Sequence, residues 1–274
     1  MKIWFITGAS RGFGALVTQR ALARGDAVVA TARNIAAIAE RFGDHPNLLP
    51  VALDVTDEGQ ATAAVAAAIA RFGRIDILLN NAGFGLMGAV EEATAAEVEA
   101  VYRTNVFGLL TVTRAVLPHM RAARSGRILN ISSIGGYRAA AGFGVYCSAK
   151  FAVEGLSEAL HAELAPLDIH VSVVEPGYFR TDFLDATSLS VSAARIADYD
   201  ATAGKVRTVA EGLSHNQPGD PAKLADVLIG FVDAPNPPVR LPLGSDTVAA
   251  VEAKLASDAA IVAEWRHVSV STDF

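Results

Sequence analysis

Six short apolar runs, at 2–7, 27–32, 48–53, 75–80, 126–132 and 169–175, punctuate this chain, and most are separated by longer stretches of helical character. The runs are nearly continuous in apolar residues. A strand with one wet face alternates apolar with polar residues, so continuity implies cover on both faces. The stretches at 13–24, 57–72, 95–123 and 145–165 read as helices; their one proline, Pro118, predicts a kink near the end of the third. Gly25 and Pro166 mark stops. This alternation predicts an α/β fold, a doubly wound parallel sheet with helices on both faces. A run at 239–243 adds a seventh strand, and 220–233 and 246–266 add helices. Residues 178–217 mix Gly, Ser, Thr, Asp and Asn with short apolar groups and read as a mobile insert in a single domain spanning 1–274. In such a sheet ligands are expected at the carboxyl ends of the strands.

Composition removes several other function classes. With 274 residues and 51% hydrophobic content, the chain is long and apolar enough for a large core, and global disorder is excluded. Its 23 Lys+Arg against 29 Asp+Glu leave no basic surplus for nucleic acid. Cys147 is the single cysteine, so no internal disulfide or thiolate zinc cage can be built. The six histidines (45, 119, 161, 170, 215, 267) show no ligand spacing, and no metal is expected. No run of 18 apolar residues occurs, so no membrane span is predicted. The apolar stretch from Ile3 to Ile6 is too short for a signal-peptide core, and the expected compartment is the cytoplasm.

The first strand is followed by Thr7-Gly8-Ala9-Ser10-Arg11-Gly12-Phe13-Gly14. A glycine turn at a helix start leaves backbone N–H groups free, with the positive end of the helix dipole behind them, to hold a pyrophosphate. A plain tight turn is the alternative. Gly8-Ala9-Ser10-Arg11-Gly12 also fits the G-x-S-x-G elbow of serine hydrolases, with Ser10 as nucleophile. That elbow needs oxyanion donors from an earlier strand–helix loop, and only seven residues precede Gly8. No acidic residue ends the second strand to hold ribose hydroxyls; Arg33 stands there and favours a 2′-phosphate, with Arg11 in support. NADP(H) is therefore favoured and NAD(H) possible, unless the arginines are simply solvated surface charges.

Three further features carry chemistry. Asn80-Asn81-Ala82-Gly83 ends the fourth strand, and Ser132-Ser133 ends the fifth. Tyr146 and Lys150 lie four apart at the start of the next helix and share one face. An ammonium near a phenol favours phenolate and is expected to lower the tyrosine pKa. A tyrosine and lysine so spaced are otherwise ordinary surface neighbours. Cys147 reads as a small packed residue.

Taken together these motifs resemble the short-chain dehydrogenase/reductase family, whose fold is a Rossmann-type sheet of about seven strands. TGASRGFG fits TGxxxGxG, NNAG stands at 80–83, Ser133 precedes Tyr146 by 13 positions, and Tyr146 and Lys150 fill YxxxK. Pro176-Gly177-Tyr178-Phe179-Arg180-Thr181 fits PGxxxT, and Asp54-Val55 fits the family's adenine contact. The resemblance implies Tyr146 as general acid or base and Lys150 as its modulator and ribose ligand. It implies Ser133 as the donor to the substrate oxygen, chosen over Ser132 by spacing, and Asn105 as the holder of a water leading to Lys150. It implies cofactor contacts from Gly8, Ser10, Arg11, Gly12, Phe13, Gly14, Arg33, Asp54, Val55, Asn81, Ala82, Gly83, Tyr146, Lys150, Pro176, Gly177, Phe179 and Thr181. ATAR at 30–33 and LPLGSDTV at 241–248 resemble the 17β-hydroxysteroid-dehydrogenase-like and retinol-dehydrogenase-like branch.

The implied activity is interconversion of a ketone or aldehyde with an alcohol by hydride transfer. Phe84, Met87, Ile134, Phe143, Tyr178 and Phe183 are expected at the substrate, and so apolar a set suits a lipophilic or aromatic small molecule. Residues 178–217 would close over it as a lid. A homodimer or homotetramer, through the helices at 95–123 and 145–165, is also implied. The competing reading from another class is a dinucleotide-binding sensor without turnover, against which the intact Asn105, Ser133, Tyr146 and Lys150 speak.

Overall fold

In a computed structural model of the protein, the described residues are 1–213 and 216–274, without the side chains of Glu211 and Leu213. The strands are β1 (Ile3–Thr7), β2 (Ala27–Ala32), β3 (Leu48–Ala52), β4 (Ile77–Asn80), β5 (Gly85–Met87), β6 (Gly126–Ile131), β7 (Ile169–Pro176), β8 (Leu189–Val191) and β9 (Arg240–Leu243). The α-helices are α1 (Gly12–Ala23), α2 (Ala36–Phe42), α3 (Glu58–Phe72), α4 (Ala95–Tyr102), α5 (Leu109–Ala123), α6 (Ile134–Tyr137), α7 (Gly144–Leu164), α8 (Lys205–Leu213), α9 (Pro221–Phe231) and α10 (Ser245–Ser269). Seven strands form one sheet in the order β3-β2-β1-β4-β6-β7-β9, parallel at every pairing. The seven predicted runs all lie in it.

Two-sided burial explains the continuous apolar runs. The pleat sends Trp4, Ile6, Val28, Ala30, Ile77 and Leu79 to one face, where α1 and α9 cover them with Val17, Ala21, Leu224 and Leu228. Phe5, Val29, Leu78 and Ile128 point the other way, against Ala61, Val65, Val112, Val116 and Met120 of α3 and α5. Local signals fix the covering helices. Asp57 caps α3 by accepting from the Gln60 N–H, and Asp220 caps α9 with Pro221 at its first position.

Two expectations need correction. Residues 95–123 are not one helix. Between α4 and α5 the backbone widens into a π-turn over Arg103–Gly108, which contains Asn105. One added residue barely disturbs an apolar periodicity, so the pattern hid it. The 178–217 insert is also more ordered than its composition implied. It holds β8, which pairs in parallel with β5 as a separate two-stranded sheet, and α8. Residues 214–215, and with them the reading of His215, lie outside the described residues.

Candidate active site

At the switch point of the sheet, β1 is flanked by β2 on one side and β4 on the other. Here the glycine turn is locked by the loop after β4. Asn81 Nδ2 donates to the carbonyl oxygens of Thr7 and Gly8 at 2.9 and 3.1 Å. The N–H groups of Asn81 and Ala82 donate to Thr7 Oγ1 at 2.9 and 3.0 Å. Gly8 has φ +65°, a left-handed conformation. A Cβ on Gly14 would stand 2.4 Å from the Gly8 oxygen, so only glycine lets α1 pack this closely on the turn. Arg11, the residue before α1, is extended and gives the helix no side-chain cap. The first-turn N–H groups therefore face the cleft without a side-chain acceptor, a cradle that fits a pyrophosphate.

A cleft of about 1540 Å³ runs from this turn across the carboxyl ends of the sheet strands. Gly8, Ser10, Arg11, Gly12 and Phe13 line one end. Arg33, exposed just past β2, and Asp54 and Val55, just past β3, line its outer edge. Asp54 Oδ1 accepts from the Thr56 N–H and hydroxyl at 3.0 and 2.8 Å. Asn81, Ala82 and Gly83 form the floor, and Pro176 at the end of β7, with Gly177, Phe179 and Thr181 beyond it, lines the far side. Phe179 packs edge-on against Phe13, with centroids 5.6 Å apart, and joins the two walls.

The groups singled out for chemistry meet at the middle of this cleft. β6 delivers Ser132 and Ser133, and α7 delivers Tyr146 and Lys150 from its first two turns. The extended backbone at Ser133 turns the two serines apart. Ser133 interacts with the Tyr146 hydroxyl, whereas Ser132 faces Glu154. The Lys150 ammonium lies 5.8 Å from the Tyr146 ring centroid and donates to the Ile131 oxygen at 2.8 Å. Burial pulls the Lys150 pKa down to about 8.

The expected fall in the Tyr146 pKa is not what the fold produces. Burial raises it well above the ordinary phenol range, and the Ser133 hydrogen bond opposes that only in part. Phe143 and Phe183, with centroids 6.3 and 5.6 Å from the Tyr146 ring, provide the dry surroundings. Burial likewise raises the Cys147 thiol, which leaves it inert beside the site.

Three predicted residues stand outside the cleft surface. Gly14 is behind the turn. Met87 is buried with Leu189 and Ala210, and Phe143, Leu184 and Val206 pack on it. Asn105 is buried, and both of its amide atoms are bound to the Phe84 peptide: Oδ1 accepts from its N–H at 3.0 Å and Nδ2 donates to its oxygen at 2.8 Å. Oδ1 nevertheless closes on Gly83 from one side, 3.0 Å from where a Cβ would be, with Lys150 Nζ 3.8 Å from the same point. Phe84, Ile134, Phe143, Tyr178 and Phe183 line the cleft's apolar end.

Sequence reasoning missed the pins that hold that end. Arg11 Nη2 donates to the Thr187 oxygen at 2.5 Å, across the cleft mouth. Glu92 and Arg207 form a buried ion pair, and Glu92 Oε1 also accepts from the Ile196 N–H at 3.0 Å. Among the described residues no histidine lines the cleft to serve Ser10 as a base, so the hydrolase reading finds no support there. Among those residues there is also no cluster suited to a metal, and no helix long and apolar enough to cross a membrane.

The comparisons with known proteins agree with this geometry. A profile described as short chain dehydrogenase matches residues 2–191. Oxidoreductase BOA17 of Botryotinia fuckeliana is 38% identical over 279 residues, covering 99% of each chain. The 3-ketodihydrosphingosine reductase of Bacteroides thetaiotaomicron is 40% identical over 243 residues, covering 89% of this chain and 88% of its own. The crystal structure of a short-chain dehydrogenase from Streptomyces avermitilis superposes with a TM-score of 0.91 at 40% identity, covering 100% of both chains. The chain belongs to the short-chain dehydrogenase family. Its activity is that of an NAD(P)-dependent oxidoreductase.

Proposed function

We propose that the protein is an NADPH-preferring carbonyl reductase acting on a lipophilic or aromatic ketone or aldehyde. The observation that carries this reading is the buried Tyr146 hydroxyl, set against Ser133 in a cleft continuous with the glycine turn. When bound, the nicotinamide cofactor supplies the hydride. Gly8, Gly12 and Phe13 would hold its pyrophosphate, Asp54 and Val55 its adenine, and Lys150 its nicotinamide ribose. Ser10, Asn81 to Gly83, Pro176, Gly177, Phe179 and Thr181 would complete the cofactor wall.

Hydride addition to a carbonyl builds negative charge on oxygen, and two donors aimed at that oxygen stabilise it. Ser133 and Tyr146 are those donors. The Tyr146 phenol is protonated at neutral pH, burial raises its pKa further, and in reduction it is the proton donor. Lys150, with a pKa near 8, is still mostly charged there and keeps the phenol in a cationic field. The Asn105 amide serves another purpose in this reading: it fixes the Phe84 peptide, and with it one wall of the substrate pocket.

The cofactor preference rests on Arg33, an exposed guanidinium at the end of β2 where an acidic residue would instead hold ribose hydroxyls. The substrate class rests on the apolar end at Phe84, Ile134, Phe143, Tyr178 and Phe183, and a lipophilic ketone suits such a surface; the Bacteroides relative is named for the reduction of 3-ketodihydrosphingosine. Within 178–217 the lid would be the part between Tyr178 and Ser188, which lines the cleft and is latched across it by the surface contact of Arg11 with the Thr187 oxygen. Exposed Phe107 and Phe151, by α5 and on α7, support a homodimer or homotetramer formed through these helices.

The test is Tyr146→Phe assayed by NADPH consumption with a panel of aromatic and long-chain ketones. Turnover should fall by roughly 10³-fold while NADPH affinity stays within a few-fold. Near-normal turnover in the variant would remove Tyr146 from the role of acid.

A further inference from the structure

A dinucleotide whose pyrophosphate rests on the glycine turn and whose ring reaches Tyr146 must pass the wall that follows β7. Phe179 touches Phe13 of the glycine turn at one end of this wall. Phe183 touches Tyr146 at the other, with ring centroids 5.6 Å apart in each case. Residues 177–181 belong to no strand, so their main-chain groups need partners from elsewhere. The Gly177 N–H donates to the Leu243 oxygen at 3.0 Å, which continues the pairing of β7 with β9. The Tyr178 oxygen accepts from the Gly219 N–H, and the Arg180 N–H donates to the Gly219 oxygen, both at 2.9 Å.

The Tyr178 N–H finds its partner much later in the chain. Asp246, in the first turn of α10, accepts from it through Oδ2 at 2.7 Å. A carboxylate is favoured there by the positive end of the helix dipole, and a hydrogen bond to an ionised acceptor is stronger than a neutral one. Two glycines clear the space for it. A Cβ on Gly177 would stand 2.2 Å from both Asp246 carboxylate oxygens, and one on Gly244 2.4 Å from Oδ1. Gly244, at φ +101°, is needed for its backbone as well; Gly177 is not left-handed, so the carboxylate is what requires glycine there.

Asp246 does not itself line the cleft, whereas Gly177, Tyr178, Phe179 and Thr181 do. It therefore acts through the wall. Residues 255–274 are exposed, so the link of α10 to the cleft runs through its first turn. The same wall is the root from which the lid departs, and a fixed wall gives the lid a fixed base. We propose that Asp246 is a positioning residue: by holding the Tyr178 N–H it sets residues 177–181 at the distance at which they grip the nicotinamide end of the cofactor. The inference rests on the reading of this wall as part of the cofactor site.

The test compares two ligands in titration calorimetry. One is NADPH; the other is 2′-phospho-ADP-ribose, which lacks only the nicotinamide ring. Asp246→Ala should weaken NADPH by about tenfold and leave 2′-phospho-ADP-ribose within about twofold, because the ring is what the displaced wall releases. Asp246→Asn keeps an acceptor for the Tyr178 N–H and should recover most of the NADPH affinity. A merely structural role would move both ligands together or neither. Asp246→Ser draws the acceptor back from the wall but keeps a polar residue at the helix start; it takes the place of Asp246→Ala if that variant does not fold, with the same selective loss expected. In a folded variant, equal losses for the two ligands, or no loss, would overturn the proposal while leaving the wall in the cofactor site. Equal wild-type affinity for the two ligands would remove the wall from that site, and the proposal with it. A preference for NADH moves the comparison to NADH and ADP-ribose with the same outcomes. If instead Tyr146→Phe retained turnover, the reading of the acid would fail while the two-ligand comparison still decided the role of Asp246.

Discussion

The two ends of the cleft are held by different means. At the cofactor end the backbone is the device: Gly8 in a left-handed conformation, Gly14 against the Gly8 oxygen, and Asn81 bonded to two main-chain oxygens. At the substrate end side chains hold backbone that would otherwise lack partners. Glu92 grips Arg207 and the Ile196 N–H, and Arg11 grips the Thr187 oxygen. Backbone locking leaves little room for variation, because the packing distances are already at van der Waals limits. Side-chain pins can be exchanged without disturbing the sheet. The contrast fits a fixed site for a common cofactor beside an adjustable one for the substrate.

Substitutions can break this contrast or sharpen it. Gly14→Val should have the largest effect, since its Cβ alone meets the Gly8 oxygen at 2.4 Å. Overpacking of this kind costs about 1–3 kcal/mol. A Tm lowered by roughly 4–10 °C in calorimetry, with loss of NADPH binding, is the expected result. An unchanged Tm would show that the turn yields and that the contrast is overstated.

Arg33→Ala should come next. Loss of a charge-assisted contact to a 2′-phosphate should weaken NADPH by about ten- to a hundredfold in titration calorimetry and leave NADH nearly unchanged. Equal losses would place Arg33 away from the phosphate.

Arg207→Met should leave cofactor affinity alone and strand the Glu92 carboxylate. Limited proteolysis within 192–207 should accelerate by about tenfold, because local opening then costs less. An unchanged digestion pattern would mean that the β5–β8 pairing, not the ion pair, holds this segment.

Arg11→Ala is expected to do least. The Thr187 contact is at the surface, so cleavage near residue 187 should rise only about two- to threefold, with a comparable loss of NADPH affinity.

Legibility in the sequence followed the same division. The glycine turn, Asn81, Ser133, Tyr146 and Lys150 stood out because each sits at a strand end or at helical spacing, and the structure brings all of them to one cleft. Met87 was misplaced because an apolar residue next to a pocket wall has the same sequence signature whether it faces the pocket or the small core behind it. The π-turn at Asn105 left almost no trace in the periodicity. Glu154 and Arg240, 86 positions apart, gave no signal at all, since nothing local announces that two charged residues will be buried against each other.

The sequence by itself determined the parallel sheet, its two-sided cover and the turn that starts α1, because periodicity, apolar continuity and glycine placement act over a few residues at a time. The tertiary structure alone decided the burial of Tyr146 and Lys150 and the pinning of the insert. Those depend on burial and on pairs as far apart as Arg11 and Thr187, which only the closed fold brings within bonding distance.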